Sequence, residues 1–156
     1  MRKENGKSKR FNYRLDPVLK ARSLFKKQQQ ETVIRAQRAQ EEALKKETEL
    51  KALQQQAYAD LRSKMSTGQT LDFTGIQLRK AHLDKVGQWV TDQVQKREAA
   101  DKTLASERQV LLKRAQDEKV IEKDKAHRRV LWTKAVRREE TKQLDDLSTG
   151  RFSRAS

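Results

Sequence analysis

Apolar positions along the chain recur with a seven-residue beat in two long stretches. In the first, Ala36, Ala43, Leu50 and Ala57 fall seven apart; in the second, Ile76, Leu83, Val90, Arg97, Leu104 and Leu111 do the same. This is the pattern of helices that bury a narrow seam against a partner helix. Punctuation sets the limits. The sole proline, Pro17, follows Asp16 in RFNYRLDPVLKAR, so Asp16 is the expected N-cap and Pro17 at the first helical position loses no needed donor. The segment SKMSTGQTLDFTG, residues 63–75, clusters Ser66, Thr67, Gly68, Thr70 and Gly75 as turn formers, with Thr74 or Asp72 available to cap the second helix. Gly150, in STGRFSRAS, is the next stop signal. The expected organisation is a basic flexible tail over 1–10 and a single coiled-coil hairpin over 11–147. Within the hairpin lie a helix over 16–65, a turn over 66–75 and a helix over 76–147, and a disordered tail covers 148–156. At 1.5 Å per residue the helices would be about 75 and 108 Å long. Gly87 lies inside the second, costs about 1 kcal/mol relative to alanine, and marks a site of bending.

A turn near residue 70 folds the two seams together antiparallel and pairs positions whose numbers sum to about 140. Ala57 then meets Leu83, Leu50 meets Val90, Ala43 meets Arg97, Ala36 meets Leu104 and Arg22 meets Glu118. Small residues face large ones in three of these layers, and opposite charges face each other in the last. The intervening positions are poorer, with Gln40, Glu47 and Gln54 opposite Ala100, Gln93 and Val86. The fold class is therefore all-α, two long helices forming an antiparallel coiled-coil hairpin of marginal stability.

Composition agrees with this reading. Ala, Glu, Lys, Leu and Arg make up 80 of the 156 residues, and 38% of the chain is charged, which disfavours a compact single-core globule. With no cysteine there are no disulfides and no thiolate metal sites. No apolar run approaches the roughly 20 residues of a membrane span, and MRKENGKSKR lacks a signal peptide's apolar stretch, so a soluble cytoplasmic protein without membrane insertion is expected.

Candidate chemistry is sparse. His82 and His127 would lie at opposite ends of the hairpin and cannot share a metal or a proton relay, and no GxxxxGK[ST] loop is present to cradle a phosphate. The carboxylates alternate with lysines and arginines at helical spacing, the pattern of a solvated face. The expectation is a non-enzyme with no cofactor and no metal. A net charge of +15 creates a field that attracts nucleic acid, anionic lipid or an acidic protein surface. Nucleic acid is the weaker choice, because the few aromatics are not interleaved with basic residues as a stacking platform requires.

The second helix outlasts the first, so the segment from about Lys125 onward is expected to project past it. This overhang carries KDKAHRRVLWTKAVRRE, and Phe11 and Tyr13 arrive at the same end, where they can staple the chain against Leu131 or Trp132.

Three segments, RFNYRLDPVLKAR, LDFTGIQLRKAHL and EKDKAHRRVLWTKAVRREETKQLDDLSTGRF, resemble the FliJ family, coiled-coil proteins of the bacterial flagellar type III export apparatus. The most specific parts are the opening aromatic–Leu–x–Pro/x–Val–Leu pattern and the closing acidic and basic run ending in LDDLS. The resemblance implies a cytoplasmic hairpin at the base of the export apparatus, similar to the central stalk of rotary ATPases. It would dock on the export ATPase hexamer and promote its assembly. The residues this implies for ATPase binding are Phe11, Tyr13, Leu15, Arg128, Arg129, Trp132, Arg137 and Arg138. A second implied contact, with the cytoplasmic linker of the export gate's membrane protein, falls on Phe73, Ile76 and Leu83, of which Leu83 also belongs to the seam. Export chaperones are further partners in the family. The alternatives are the stalk protein of a virulence type III secretion system, and a basic coiled-coil nucleic-acid-binding protein.

Overall fold

The computed structural model describes residues 10–66 and 72–152. Positions 1–9, 67–71 and 153–156, which include most of the expected basic tail, the centre of the expected turn and the last part of the expected C-terminal tail, lie outside the described residues. Two helices, α1 (Asp16–Ser66) and α2 (Phe73–Phe152), pack against each other, and the described residues contain no strand. The fold is an all-α helical hairpin. Its residues divide into two compact units: a terminal unit of Met1–Lys26 with Lys113–Ser156, and a central unit of Lys27–Leu112.

The ends of the helices follow from local chemistry. At the start of α1 the Leu19 amide bonds to the Leu15 carbonyl at 2.9 Å, which makes Leu15 the capping position and Asp16 the first helical residue. The expected N-cap bond of Asp16 is replaced by another partner, because its carboxylate accepts from Lys125 Nζ at 2.6 Å. Pro17 still costs no hydrogen bond, since the first four amides of a helix have no intrahelical acceptor. At the start of α2 the cap is Asp72, whose Oδ1 accepts from the Gly75 amide at 3.1 Å. A Cβ at position 75 would sit 2.5 Å from Asp72 Oδ2, so a larger residue there displaces the capping carboxylate.

The far end of α2 corrects the expected stop at Leu147, because the helix continues through Gly150 to Phe152. Ser148 donates to the Asp145 carbonyl at 2.9 Å, and Thr149 bonds to the same carbonyl, so these turn formers are absorbed as back-bonded helical residues. No glycine among the described residues has a positive φ, and Gly150 therefore supplies no left-handed cap.

In the central unit, positions 29, 33, 36, 40, 43, 47, 50, 54, 57 and 61 of α1 are all buried or half-buried, alternating three and four apart. Positions 83, 86, 90, 93, 97, 100, 104, 107 and 111 of α2 follow the same rule, so Ala36, Ala43, Leu50, Ala57, Leu83, Val90, Leu104 and Leu111 all face inward. Cross-helix bonds fix the register. Gln93 donates to the Ala43 carbonyl at 2.9 Å, Gln29 to the Glu107 carbonyl at 3.2 Å and Arg97 to Glu47 at 2.6 Å. The numbers of these pairs sum to 136, 136 and 144, around the expected 140.

The intervening positions, expected to be the weaker ones, are among the most enclosed of this unit, as is Gln29, seven residues before Ala36 on the main seam. Val86 is fully buried, and Glu47, Gln93 and Gln29 are each over 90% buried. They are tolerated because every one of these polar groups is bonded, and Glu47 in particular sits between Arg97 and Lys51, each at 2.6 Å. The Lys51 ammonium and then the Arg97 guanidinium hold its carboxyl below the usual carboxylate range. Glu47 in turn raises the basicity of Arg97. The apolar part of the core is thin: Leu83, Val86 and Leu104 are its only large buried aliphatic side chains among the described residues. At about 1.5–3 kcal/mol each, they leave the pairing modestly stabilised. Gly87 causes no interruption of α2, and its Cα faces Gln54.

Candidate functional site

The chain ahead of α1 enters the terminal unit as a short irregular segment that turns at Arg14–Leu15, and it is pinned to α2 by two aromatic side chains. The Phe11 ring lies 5.8 Å from the Trp132 ring, tilted by 55°, and 6.4 Å from the Tyr13 ring, on which it stacks. Tyr13 is 97% buried, and its hydroxyl donates to Asp124 Oδ2 at 2.6 Å. Burial, followed by the nearby Asp124 carboxylate, raises the phenol's pKa. The same bond, ahead of the Arg128 contact at 2.9 Å, holds Asp124 below its ordinary range. Lys125 completes the lock, bonding Asp16 and lying 6.0 Å from the centre of the Tyr13 ring. Farther along, Arg22 pairs with Asp117 at 3.3 Å and Lys26 with Glu118. The expected Arg22 partner was Glu118; Lys26, one turn on, takes it instead.

The eight residues implied for ATPase binding separate into two groups. Phe11, Tyr13 and Trp132 are engaged with one another or with α2, and Arg128 is tied to Asp124. Leu131, the alternative staple partner, is half exposed. Arg129, Arg137, Arg138 and Leu15 face solvent, and the three arginines make no ion pair among the described residues. The solvent-facing overhang begins later than expected. Trp132, Thr133 and Val136 are still partly covered, because the segment before α1 covers α2 beyond Lys125; positions 137–149 are all exposed.

In the central unit the residues implied for gate binding also divide. Phe73 is 71% exposed and Ile76 half-buried, whereas Leu83 is buried in the seam and is not offered to a partner. Leu78, five residues past Phe73 and 73% exposed, lies about 140° around the helix from it, on a different face; nothing in its sequence context separated it from a seam residue. Asp124 was missed in the terminal unit for a similar reason: it sits in a charged run, and only the fold brings Tyr13 to it. No group of histidine, cysteine or carboxylate side chains among the described residues could hold a metal, and no described helix is long and apolar enough to cross a membrane.

A family model described as "Flagellar FliJ protein" matches residues 11–156. No curated protein and no solved structure matches the chain significantly.

Proposed function

Since the chain belongs to the flagellar FliJ family and is thus a flagellar export-related protein, we propose that it acts without catalysis of its own, as a central-stalk partner of the export ATPase hexamer. One observation carries the reading. The terminal unit pairs a stapled aromatic base, Phe11 on Trp132, with three guanidiniums, Arg129, Arg137 and Arg138, that have no ion-pair partner among the described residues. A rigid apolar anchor beside uncommitted charge suits an end that enters an oppositely charged ring, where charge sets the on-rate and the anchor sets the residence time. In this reading Tyr13 and Arg128 shape the end, while Arg129, Arg137, Arg138 and Leu15 make the contact. Phe73 and Ile76 are assigned to the linker of the export gate, at the cytoplasmic base of the apparatus, and Leu83 is reassigned to the core.

The test is the steady-state ATP turnover of the cognate export ATPase, below its self-assembly concentration, as the purified protein is added at physiological salt. Stimulation saturating near one chain per hexamer, and lost in an Arg129→Glu/Arg137→Glu/Arg138→Glu variant of unchanged helicity, is the expected result. Flat turnover with a competent ATPase refutes it. The +15 charge then leaves nucleic acid as the second reading, recognised by a steep fall of affinity with salt.

A further inference from the structure

The part of α2 that runs past the staple is segregated by charge. Lys125 to Arg138 holds six basic residues and no acidic one; Glu139 to Asp146 holds four acidic residues and only Lys142 as a base. Along this stretch Val130, Thr133, Arg137, Glu140, Leu144 and Leu147 fall alternately three and four residues apart, forming a second stripe that is exposed except at Thr133, which borders the inward positions Lys125, Trp132 and Val136. Its apolar members stand largely open among the described residues. Val130 is 52% exposed, Leu144 67% and Leu147 66%. An exposed apolar stripe on a projecting helix is a surface awaiting a partner.

The order of residues in the stripe says which partner fits. When a second copy of the same helix is laid against it antiparallel, so that paired numbers sum to 277, Val130 meets Leu147, Thr133 meets Leu144 and Arg137 meets Glu140. The three layers then repeat by two-fold symmetry. We infer that the α2 ends of two copies of this chain pair in this register, forming an isologous dimer in which the basic half of each helix faces the acidic half of the other. Alternating core positions pair in this way in antiparallel coiled coils, and a self-complementary patch is what a two-fold interface requires. A parallel arrangement is disfavoured, because it sets Arg137 against Arg137 and basic half against basic half. Every apolar member of the stripe finds an apolar or methyl-bearing neighbour. Leu147 of the second copy enters the surface groove that Val130 forms with Leu19, Ala126 and Arg137. Glu140 already makes an interaction within its own chain, and a carboxylate accepts from more than one donor, so Arg137 of the second copy adds to that contact.

Six short layers bury less than a standard protein interface, so the association is weak and depends on concentration. The pairing also covers Arg137, which makes it exclusive with any partner that uses this guanidinium. It does not depend on the ATPase reading, and its test uses this chain alone.

Sedimentation equilibrium of the full-length protein over a wide concentration range should show reversible dimerisation that weakens with salt. A Leu144→Glu/Leu147→Glu variant should stay monomeric at every concentration with unchanged helicity. Arg137→Glu should weaken the dimer by about tenfold or more, and Arg137→Glu combined with Glu140→Arg should restore it. Since the chain has no cysteine, Thr133→Cys and Leu144→Cys proteins mixed under mild oxidation should cross-link to each other far more than either does to itself. A protein that remains monomeric at high concentration overturns the inference. So does a dimer indifferent to Leu144 and Leu147, or a cross-link of each variant only to itself.

Discussion

Gly75 and Gly87, both in the first part of α2, make a controlled pair, because one substitution, glycine to alanine, should have opposite consequences twelve residues apart. At Gly87 the new Cβ meets only Gln54 Nε2, at 3.6 Å, an ordinary contact, and the backbone there is already helical. Alanine restricts the unfolded chain and favours the helix, a gain of about 0.5–1 kcal/mol. For a chain of this size that is a rise of about 1–4 °C in melting temperature. At Gly75 the Cβ would lie 2.5 Å from Asp72 Oδ2 and 3.1 Å from its Cγ. The Asp72 side chain must swing away, and the cap bond it makes to the Gly75 amide is lost at a cost of about 1 kcal/mol. That loss cancels the gain in propensity, so Gly75→Ala should be neutral or destabilising. Paired thermal and urea melts followed by circular dichroism at 222 nm measure the difference. Equal stabilisation by both substitutions would refute the assignment of Asp72 as the cap.

The packing and the charges lead to three further outcomes. Val86→Ala, at the one large side chain with no exposure among the described residues, should cost about 2 kcal/mol, and its urea midpoint should fall more than that of any alanine change at an exposed aliphatic such as Leu112. In a Trp89→Phe background, Phe11→Ala should shift the fluorescence of Trp132 to the red and leave helicity intact, since it removes the ring that shields the indole. Thermal stability should be constant from neutral pH down to about pH 5 and decline below about pH 4. Asp124 and Glu47 both have folded pKa values below their unfolded ones, so their contribution is complete above the unfolded carboxylate range and disappears as pH falls through the lower, folded values. Melts at stepped pH check this, and Asp124→Asn should flatten part of the decline.

How much of this could be read from the sequence depended on whether a feature was periodic. The register near 140 followed from the seven-residue beat of Ala36, Ala43, Leu50 and Ala57 against Leu83, Val90 and Leu104 once the turn was set near residue 70; the beat alone fits a shift of one heptad equally well, and the cross-helix bonds select the alignment. The importance of Glu47, Gln93 and Gln29 was not legible. In a pattern of apolar and polar positions a charged residue in the seam reads as a flaw, and only the cross-helix partners Arg97, the Ala43 carbonyl and Glu107 turn it into a bonded layer. The helix stop at Leu147 failed for a local reason, since serine and threonine fit a helix when a carbonyl one turn back accepts their hydroxyls. The staple was half legible: aromatics near a helix start suggested an anchor, but Tyr13's choice of Asp124 is a long-range contact that no local pattern encodes.

That bond joins residues 111 apart in sequence. On a ribosome adding about 5–20 residues per second, Tyr13 is exposed for about 6–22 s before Asp124 has even been made, and Phe11 waits longer for Trp132. Until positions 83–111 follow, the first helix has a seam but no mate, and Phe11 and Tyr13 stay unpaired for the whole interval. A ribosome-associated chaperone can hold Phe11 and Tyr13 during that wait, and a truncation between Leu112 and Asp124 should yield a product whose central helices pair but whose lock is missing.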